Sequence, residues 1–270
     1  MSGTLLVTVN VHGIGPEAAS TPEAQLFGRD AHGRYTYRIG LARLLDYMEQ
    51  IGIKATFFWP AVEAQRMPAL LERCLKTGHE VASHGNAFED HMTLSEAHEA
   101  ELIERAHELL TRMCGSAPVG FRAPTGTLSF ASIPILHRLG YLYDSSFLDD
   151  DAPYLLNEDG GPGMVELPFS EGIVDATHFR RRVTQDRAEA HLAQELDGLL
   201  GYSGYACLSI HPRADLGLAR SSRLKILDRL VARARDLGAE PTLGRDAAFA
   251  YRPTLKPTRL GVRQPDTAFQ

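Results

Sequence analysis

The chain has 270 residues, and 44% of them are hydrophobic, which provides core for one large α/β domain or two smaller ones. Its net charge of −6 argues against nucleic acid as a partner, because neutralising phosphates requires a basic surface. No stretch approaches the roughly 20 apolar residues of a membrane span, so we expect no membrane partner. Small polar or neutral molecules remain as ligands.

Short β-rich runs alternate with amphipathic helical patterns along the chain. The pattern predicts strands at 5–11, 55–59, 80–83, 119–121, 165–167 and 205–210. It predicts helices at 37–51, 67–76, 95–113, 130–139, 186–200 and 222–237. The acidic segment 148–163 is predicted to be a loop, and Thr93 is predicted to cap the third helix in a capping box with Glu96.

This alternation implies parallel pairing with right-handed crossovers. It favours a deformed parallel (β/α)7-type barrel, formed by a single domain over residues 1–251. Residues 252–270 carry three prolines and are predicted to be an extended C-terminal tail. Because barrel enzymes carry their chemistry at the C-terminal ends of the strands, polar residues at those ends are the candidates for a site.

Four predicted strands end in residues that suit acid–base chemistry. Asn10 and His12 follow the first strand, His84 the third, Arg122 the fourth and His211 the last. An imidazole carries a proton near neutral pH, and a guanidinium clamps an anion or carboxylate. A single histidine beside Gly or Pro is more often a loop residue bound to backbone. Three histidines and an arginine at the same end of one barrel instead indicate an active site.

The three cysteines, Cys74, Cys114 and Cys207, are far apart and form no C-x-x-C pair, which is typical of reduced thiols in a cytoplasmic protein. The first residues read as a strand and lack the basic start and apolar run of a signal peptide. We therefore expect a cytoplasmic location.

Several motifs, in this order and spacing, resemble the polysaccharide deacetylases, also called carbohydrate esterase family four. They are Thr56-Phe57-Phe58, residues 78–85, Arg122-Ala123-Pro124, residues 140–146, residues 166–170 and His211-Pro212. The chain is most similar to the intracellular branch, which includes peptidoglycan deacetylase-like proteins, metal-independent allantoinases and cyclic imide hydrolases. The resemblance implies a hydrolase of carbon–nitrogen bonds other than peptide bonds, with a small-molecule or carbohydrate substrate and a place in carbohydrate metabolism.

The chain departs from the metal-dependent members of this family. Those members have two acidic residues at the end of the first strand, where this chain has Asn10 and His12. They also have two metal-binding histidines separated by three residues, where this chain has His84 and Phe88. A neutral amide cannot act as a base, so the usual metal-activated water loses its support. Asn10 and Phe88 match the allantoinase branch, Arg122-Ala123-Pro124 is closer to the deacetylases, and His12 matches neither.

The hypothesis that we favour is a metal-independent amidohydrolase that opens a small cyclic amide, imide or ureide. Histidines move the protons, Asn10 and backbone N–H groups hold the oxyanion, and Glu89 or Asp90 activates water unless this loop pair is simply solvated. The predicted catalytic residues are Asn10, His12, His84, Arg122 and His211, and the predicted substrate contacts are Phe88, Glu89, Pro124 and Tyr154. The resemblance makes His211, held by Pro212, the general acid.

Two alternatives remain open. One is a metal-dependent carbohydrate N-deacetylase in which His12 and His84 bind zinc or another divalent cation, with His91, Glu89 or Asp90 as the third ligand. The other is a non-catalytic relative that binds a ligand in the old pocket. The resemblance also implies a homo-oligomer, with the C-terminal tail long enough to reach a neighbouring copy.

Overall fold

A computed structural model describes residues 3–157, 163–255 and 257–259. Within these residues, ten strands pair into one sheet. The strands are β1 (Gly3–Asn10), β2 (Thr56–Trp59), β3 (Glu80–Ser83), β4 (Gly120–Phe121), β5 (Tyr143–Asp144), β6 (Tyr154–Asn157), β7 (Met164–Glu166), β8 (Tyr205–Ile210), β9 (Ala239–Thr242) and β10 (Pro257–Arg259).

Helices connect most of these strands. They are α1 (Gly15–Ala18), α2 (Leu41–Gln50), α3 (Ala61–Arg66), α4 (Pro68–Lys76), α5 (Glu96–Cys114), α6 (Ser132–Arg138), α7 (Asp175–Arg180), α8 (Gln185–Ser203), α9 (Leu224–Asp236) and α10 (Gly244–Tyr251). Across the described ranges, none of the helices combines the length and the apolar character that crossing a bilayer requires.

The sheet runs in the order β10-β6-β7-β5-β4-β3-β2-β1-β8, with β9 beside the start of β1. Every pairing is parallel except that of β6 with β7. An isolated parallel bridge from Val174 to Ser209 extends the edge at β8. The result is a curled, deformed (β/α) barrel, which confirms the predicted fold class and brings the C-terminal strand ends to one rim.

The alternation of side chains along β1 decides what faces the interior of the barrel. Val7 and Val9 pack outward against the helices, in the same cluster as Leu41 of α2, whereas Leu6 faces inward among Phe58 and other residues of the barrel interior. By the period-two rule of a strand, Thr8 and Asn10 share the inner face with Leu6. Burial of each large apolar side chain contributes about 1.5–3 kcal/mol, and this anchors the register that aims Asn10 inward.

Two predictions from the sequence pattern were wrong. Segment 148–163, predicted to be a loop, contains β6, which pairs antiparallel with β7; residues 158–162 of that segment lie outside the described residues. The cap of α5 is Ser95, whose hydroxyl accepts the N–H of His98 at 3.4 Å, while Thr93 ends a short 3-10 turn. Thr93 belongs to the preceding turn, so the cap lies two residues later than the predicted capping box.

The pattern also missed several short elements. These are α3, β5, α7, β9 and α10. Elements of two to eight residues carry too few positions for a periodicity to emerge. In the predicted tail, a 3-10 turn covers Arg252–Thr254 and β10 pairs with β6, while residues 260–270 lie outside the described residues. The division into a barrel over 1–251 and a tail over 252–270 stays a prediction.

A close backbone contact joins the π-helical turn Thr36–Gly40, which continues directly into α2, to the residue that follows His211. A Cβ atom on Gly40 would lie 1.9 Å from the carbonyl oxygen of Pro212 and 2.9 Å from Cδ1 of Tyr35. Only glycine fits at this distance, so Gly40 determines how near this turn comes to the end of β8.

We predict that Gly40→Ala lowers the free energy of unfolding by about 1–3 kcal/mol, because the added methyl must displace backbone rather than a flexible side chain. Gly198→Ala is the matched control, since a Cβ there meets nothing within 4 Å inside α8. The control should gain up to about 1 kcal/mol. Urea unfolding of both variants measures the difference, and a Gly40→Ala protein as stable as the wild type would contradict the contact.

Candidate active site

Polar side chains from four strand ends meet inside the rim of the barrel. Asn10 Oδ1 accepts a hydrogen bond from Arg122 Nη1 at 3.0 Å, and Asn10 Nδ2 lies 3.3 Å from His211 Nε2. His84 Nδ1 lies 2.6 Å from the carbonyl oxygen of Arg122, and His12 Nε2 lies 2.9 Å from His84 Nε2. The five residues predicted to be catalytic therefore form one connected network.

Sequence reasoning missed the residue that orients His211. Asp175, the first residue of α7, is buried, and its Oδ1 lies 2.6 Å from His211 Nδ1. Its Oδ2 accepts the backbone N–H groups of His211 and Leu218 at 2.8 and 2.9 Å. The carboxylate therefore fixes the orientation of the ring. The available signal was an acidic residue directly after Ile173 and Val174, in a segment with too few residues to show a pattern.

Arg122 is buried too deeply to clamp a substrate. Only 1% of its surface is exposed, and its guanidinium carbon lies 4.2 Å from the ring centroid of Phe58 and 4.9 Å from that of Phe169. Its nitrogens donate to Ser145 O and Oγ, Thr8 Oγ1, Asn10 Oδ1, Ser209 Oγ and Cys207 Sγ. The predicted anion clamp is thus replaced by a buried group that orients Asn10.

The guanidinium of Arg122 determines which ring nitrogen of His211 carries the proton. An arginine can only donate, so Asn10 must turn its oxygen toward Arg122 and its N–H groups toward Ser209 Oγ and His211 Nε2. His211 Nε2 is then an acceptor, and His211 Nδ1 donates its proton to Asp175. In this state His211 is a base, so it must take up a proton before it can act as the predicted general acid.

His12 and His84 form a second, neutral pair. Their rings are nearly parallel, with an interplanar angle of 4°, and the ring of Phe88 meets His12 edge-on with 5.0 Å between centroids. Burial lowers the pKa of His84 to about 3, against the hydrogen bond to the Arg122 carbonyl, which raises it. Burial also lowers the pKa of His12 well below its ordinary value, and the charges of His84, His211 and Arg213 lower it further. Neither ring carries a charge at neutral pH.

The donor set does not fit the divalent metal of the family. His91, the predicted third ligand, is buried with its Nδ1 3.1 Å from Glu99 Oε1, and Glu99 also accepts from Ser129 and Ser132. Phe88 presents hydrocarbon where the family has a histidine. In the part of the chain that the structure describes, no three His, Cys, Asp or Glu side chains are grouped so as to hold a metal ion.

The carboxylates of the loop after β3 hold that loop together. Glu89 accepts the backbone N–H groups of Asn86 and Ala87 at 2.5 and 2.7 Å. Asp90 Oδ1 accepts from Met92 N at 3.1 Å and from Thr127 Oγ1 at 2.6 Å. These bonds account for both acidic residues as loop supports, and the geometry gives no reason to assign water activation to them.

The remaining predicted substrate contacts lie at different depths. Phe88 is half-buried against His12, and Pro124 is buried beside Gly85, whose positive φ of 71° permits the turn. Tyr154 is at the start of β6, and its hydroxyl donates to Asp149 Oδ1 at 2.7 Å. Phe88 is thus in direct contact with the histidines, whereas the hydroxyl of Tyr154 binds within its own acidic loop.

A buried carboxyl pair lies behind the site. Asp144 and Glu166 are register partners on β5 and β7 and are fully buried. Burial and the charge of Asp144 raise the pKa of Glu166 well above its ordinary value. Burial also raises the pKa of Asp144, opposed by bonds from Glu166 and Ser146 and by the charge of Arg122. These shifts favour a proton on Glu166, beside Asp144.

We predict that this proton makes stability fall as pH rises. Glu166 binds its proton more tightly in the folded than in the unfolded chain, so its contribution is complete below the unfolded pKa of about 4.3 and is lost as pH rises through the folded pKa. Glu166→Gln keeps a side chain of the same shape that can donate and accept hydrogen bonds, but it has no proton that titrates. The unfolding free energy of the wild type should therefore fall relative to Glu166→Gln between about pH 5 and 8, by at most about 1.4 kcal/mol per unit.

Urea unfolding across this range measures the effect. Glu171→Gln is the matched control, because Glu171 is exposed. It should leave the pH dependence of the wild type unchanged. Parallel curves for the wild type and Glu166→Gln would show that Glu166 ionises normally.

Comparison with known proteins agrees with this arrangement. The family model described as polysaccharide deacetylase matches residues 36–143. The peptidoglycan deacetylase-like protein FGM2 of Gibberella zeae is 32% identical over 132 residues, which cover 48% of this chain and 39% of that protein. The match thus spans less than half the length of this curated relative.

Two solved structures cover nearly the whole chain. A candidate polysaccharide deacetylase from Mycobacterium smegmatis superposes with a TM-score of 0.87 at 27% identity, covering 98% of this chain and 96% of that one. The Puue allantoinase has a TM-score of 0.79 at 24% identity, covering 93% and 90%, and supports the fold alone. Residues 36–143 thus match the polysaccharide deacetylase family model, and the chain as a whole shares the fold of these two solved structures.

Proposed function

We propose that the protein hydrolyses a carbon–nitrogen bond other than a peptide bond without the family's metal, opening a small cyclic amide, imide or ureide. The observation that carries the proposal is the pair of His211 and buried Asp175, with 2.6 Å between Nδ1 and Oδ1 and with His211 Nε2 left as an acceptor. The deacetylase name of the Gibberella relative and the allantoinase name of one structural neighbour both describe hydrolysis of such bonds in those proteins.

His211 serves in turn as base and acid. It takes a proton from water at Nε2 while the water oxygen bonds to the carbonyl carbon, and Asp175 stabilises the imidazolium that forms. The proton then passes from Nε2 to the leaving nitrogen as the carbon–nitrogen bond breaks. The hydroxyl of the water stays on the acyl carbon, and the released ring nitrogen, which remains part of the same molecule, keeps the transferred proton. Such proton transfer contributes typically about 10²–10⁴ in rate.

Asn10 supplies an N–H group when charge develops on the substrate oxygen. Its Nδ2 makes two long bonds, both of 3.3 Å, to His211 Nε2 and Ser209 Oγ. Once His211 Nε2 is protonated it no longer accepts, and one Asn10 N–H becomes free for the oxyanion. Arg122 holds the amide oxygen throughout, so the amide cannot flip to face the oxyanion with its own oxygen.

N-deacetylation of a carbohydrate is the second candidate function, favoured by the family match over residues 36–143. It breaks the same type of bond, so the roles of His211 and Asp175 carry over. An aligned acid–base pair inside the barrel is difficult to explain for a protein that only binds a ligand, and we therefore place the non-catalytic alternative last.

We predict that His211→Gln lowers kcat by about 10²–10⁴ without lowering the melting temperature, on whichever substrate the wild type hydrolyses. The assay panel is succinimide, hydantoin, allantoin and N-acetylglucosamine oligomers. Asp175→Asn should also lower kcat strongly, because its amide can donate to Nδ1 and stabilise the wrong tautomer. His98→Gln, at an exposed position, is the control. A folded His211→Gln protein that keeps more than about a tenth of the rate excludes this role.

We also propose a cytoplasmic homo-oligomer with a small-molecule or carbohydrate substrate. The thiols of Cys74, Cys114 and Cys207 are free, which suits a reducing compartment. Phe27 and Phe130, in loops that follow strand ends, are 82% and 97% exposed, and a neighbouring copy would cover them. Light scattering at micromolar concentration should give a multiple of the chain mass, and a monomeric mass would reject the oligomer.

A further inference from the structure

The hydrogen bonds of His84 determine which nitrogens of the histidine pair carry protons. A carbonyl oxygen only accepts, so His84 Nδ1, 2.6 Å from the carbonyl of Arg122, must carry the proton. In the neutral ring, His84 Nε2 is then a bare acceptor. His12 Nε2 lies 2.9 Å away and must donate, since two lone pairs at that distance would repel. His12 Nδ1 is therefore the nitrogen without a proton.

The surroundings hold His12 Nδ1 in place and leave it accessible. The backbone carbonyl of His12 accepts the hydroxyl of Thr36 at 2.8 Å, and Phe88 supports the ring edge-on. Within the described ranges, no hydrogen bond engages His12 Nδ1, and the side chain is half-buried. The ring of His211 lies 5.2 Å from that of His12, centroid to centroid. Across the residues that the structure describes, His12 Nδ1 thus has no hydrogen-bond partner, and the acceptor nitrogen of the neighbouring ring, His211 Nε2, is engaged only by the long 3.3 Å bond from Asn10 Nδ2.

We infer that one water displaces the long Asn10 bond from His211 Nε2 and is held between His211 Nε2 and His12 Nδ1, which accept its two hydrogens. Its oxygen is thereby left to attack the substrate carbonyl. His12 is a catalytic residue because it touches the reacting water, and His84 is a positioning residue because it fixes the tautomer of His12. This inference rests on the proposed function. His12 and His211, and not the loop carboxylates Glu89 and Asp90, are then the groups that position the water.

His12 and His211 have different roles toward the water. Asp175 stabilises a charge on His211, whereas the hydrogen bonds of His12 and His84 run to each other and to a neutral carbonyl. The water proton therefore passes to His211, and His12 keeps only its hydrogen bond. His12 thus needs to remain an acceptor, and it does not need to become an acid.

Proton positions can be measured without any substrate. Two-dimensional ¹⁵N–¹H NMR of the histidine rings in the full chain should show His84 protonated at Nδ1 and His12 at Nε2. His84→Asn keeps an N–H toward the Arg122 carbonyl but removes the acceptor for His12, so the tautomers of His12 should mix. His84→Gln can place an amide oxygen near the lost Nε2 and should preserve the tautomer. A wild-type His12 protonated at Nδ1 overturns the inference. So would added Zn²⁺ that shifts both rings and raises the melting temperature.

Kinetic measurements then distinguish a His12 that only accepts a hydrogen bond from a His12 that takes the proton. His12→Asn keeps an acceptor oxygen near the position of Nδ1 and should retain activity within about tenfold, whereas His12→Leu should lose about 10²-fold. The acidic limb of the rate profile should stay in place in His12→Asn, because it belongs to His211. Equal losses in the two variants, with a displaced limb in His12→Asn, would show that His12 takes the proton and would overturn the inference. A wild type inactive on the whole panel defeats the proposed function, while the NMR result still decides the tautomers.

Discussion

The guanidinium and the carbonyl of Arg122 act on opposite sides of the site. The side chain donates to Asn10 Oδ1, which turns the Asn10 amide toward His211 and makes His211 Nε2 an acceptor. The backbone carbonyl accepts from His84 Nδ1, which makes His84 Nε2 an acceptor and His12 a donor at its own Nε2. One buried residue therefore determines the proton positions on both sides of the site.

A cation in this position has to be compensated within the barrel. Arg122 is 1% exposed and bonds only to neutral acceptors, and the faces of Phe58 and Phe169 cover part of its charge. The charge of Arg122 also acts on Asp144, which lies beside Glu166 behind the site. An acidic residue in place of Asn10 would neutralise the cation directly, but it would have no N–H group for His211 Nε2. The amide of Asn10 supplies that N–H group.

The sequence predicted which residues lie together at the site better than it predicted the role of each residue. Asn10, His84, Arg122 and His211 each end an apolar run, so strand periodicity and parallel pairing sufficed to bring them to one rim. Asp175 has no such run before it, because the bridge from Val174 to Ser209 is a single residue pair. The sequence could not predict that Arg122 binds protein atoms instead of a substrate anion. Its hydrogen-bond acceptors come from strands that are far apart in the chain and meet only in the folded barrel.

The departures from the metal-dependent pattern at Asn10, His12 and Phe88 are all explained by the loss of one metal site. Two carboxylates at the end of β1 balance the double charge of a bound metal, and without that metal they would leave uncompensated charge in a buried pocket. Asn10 and His12 remove both negative charges, and Phe88 removes a ligand that would have no ion to bind. His84 Nε2 is satisfied instead by His12 Nε2. A pocket altered at only one of these positions would retain either an orphaned charge or an unpaired donor, whereas this combination leaves a neutral pair in which, among the described residues, only His12 Nδ1 has no hydrogen-bond partner.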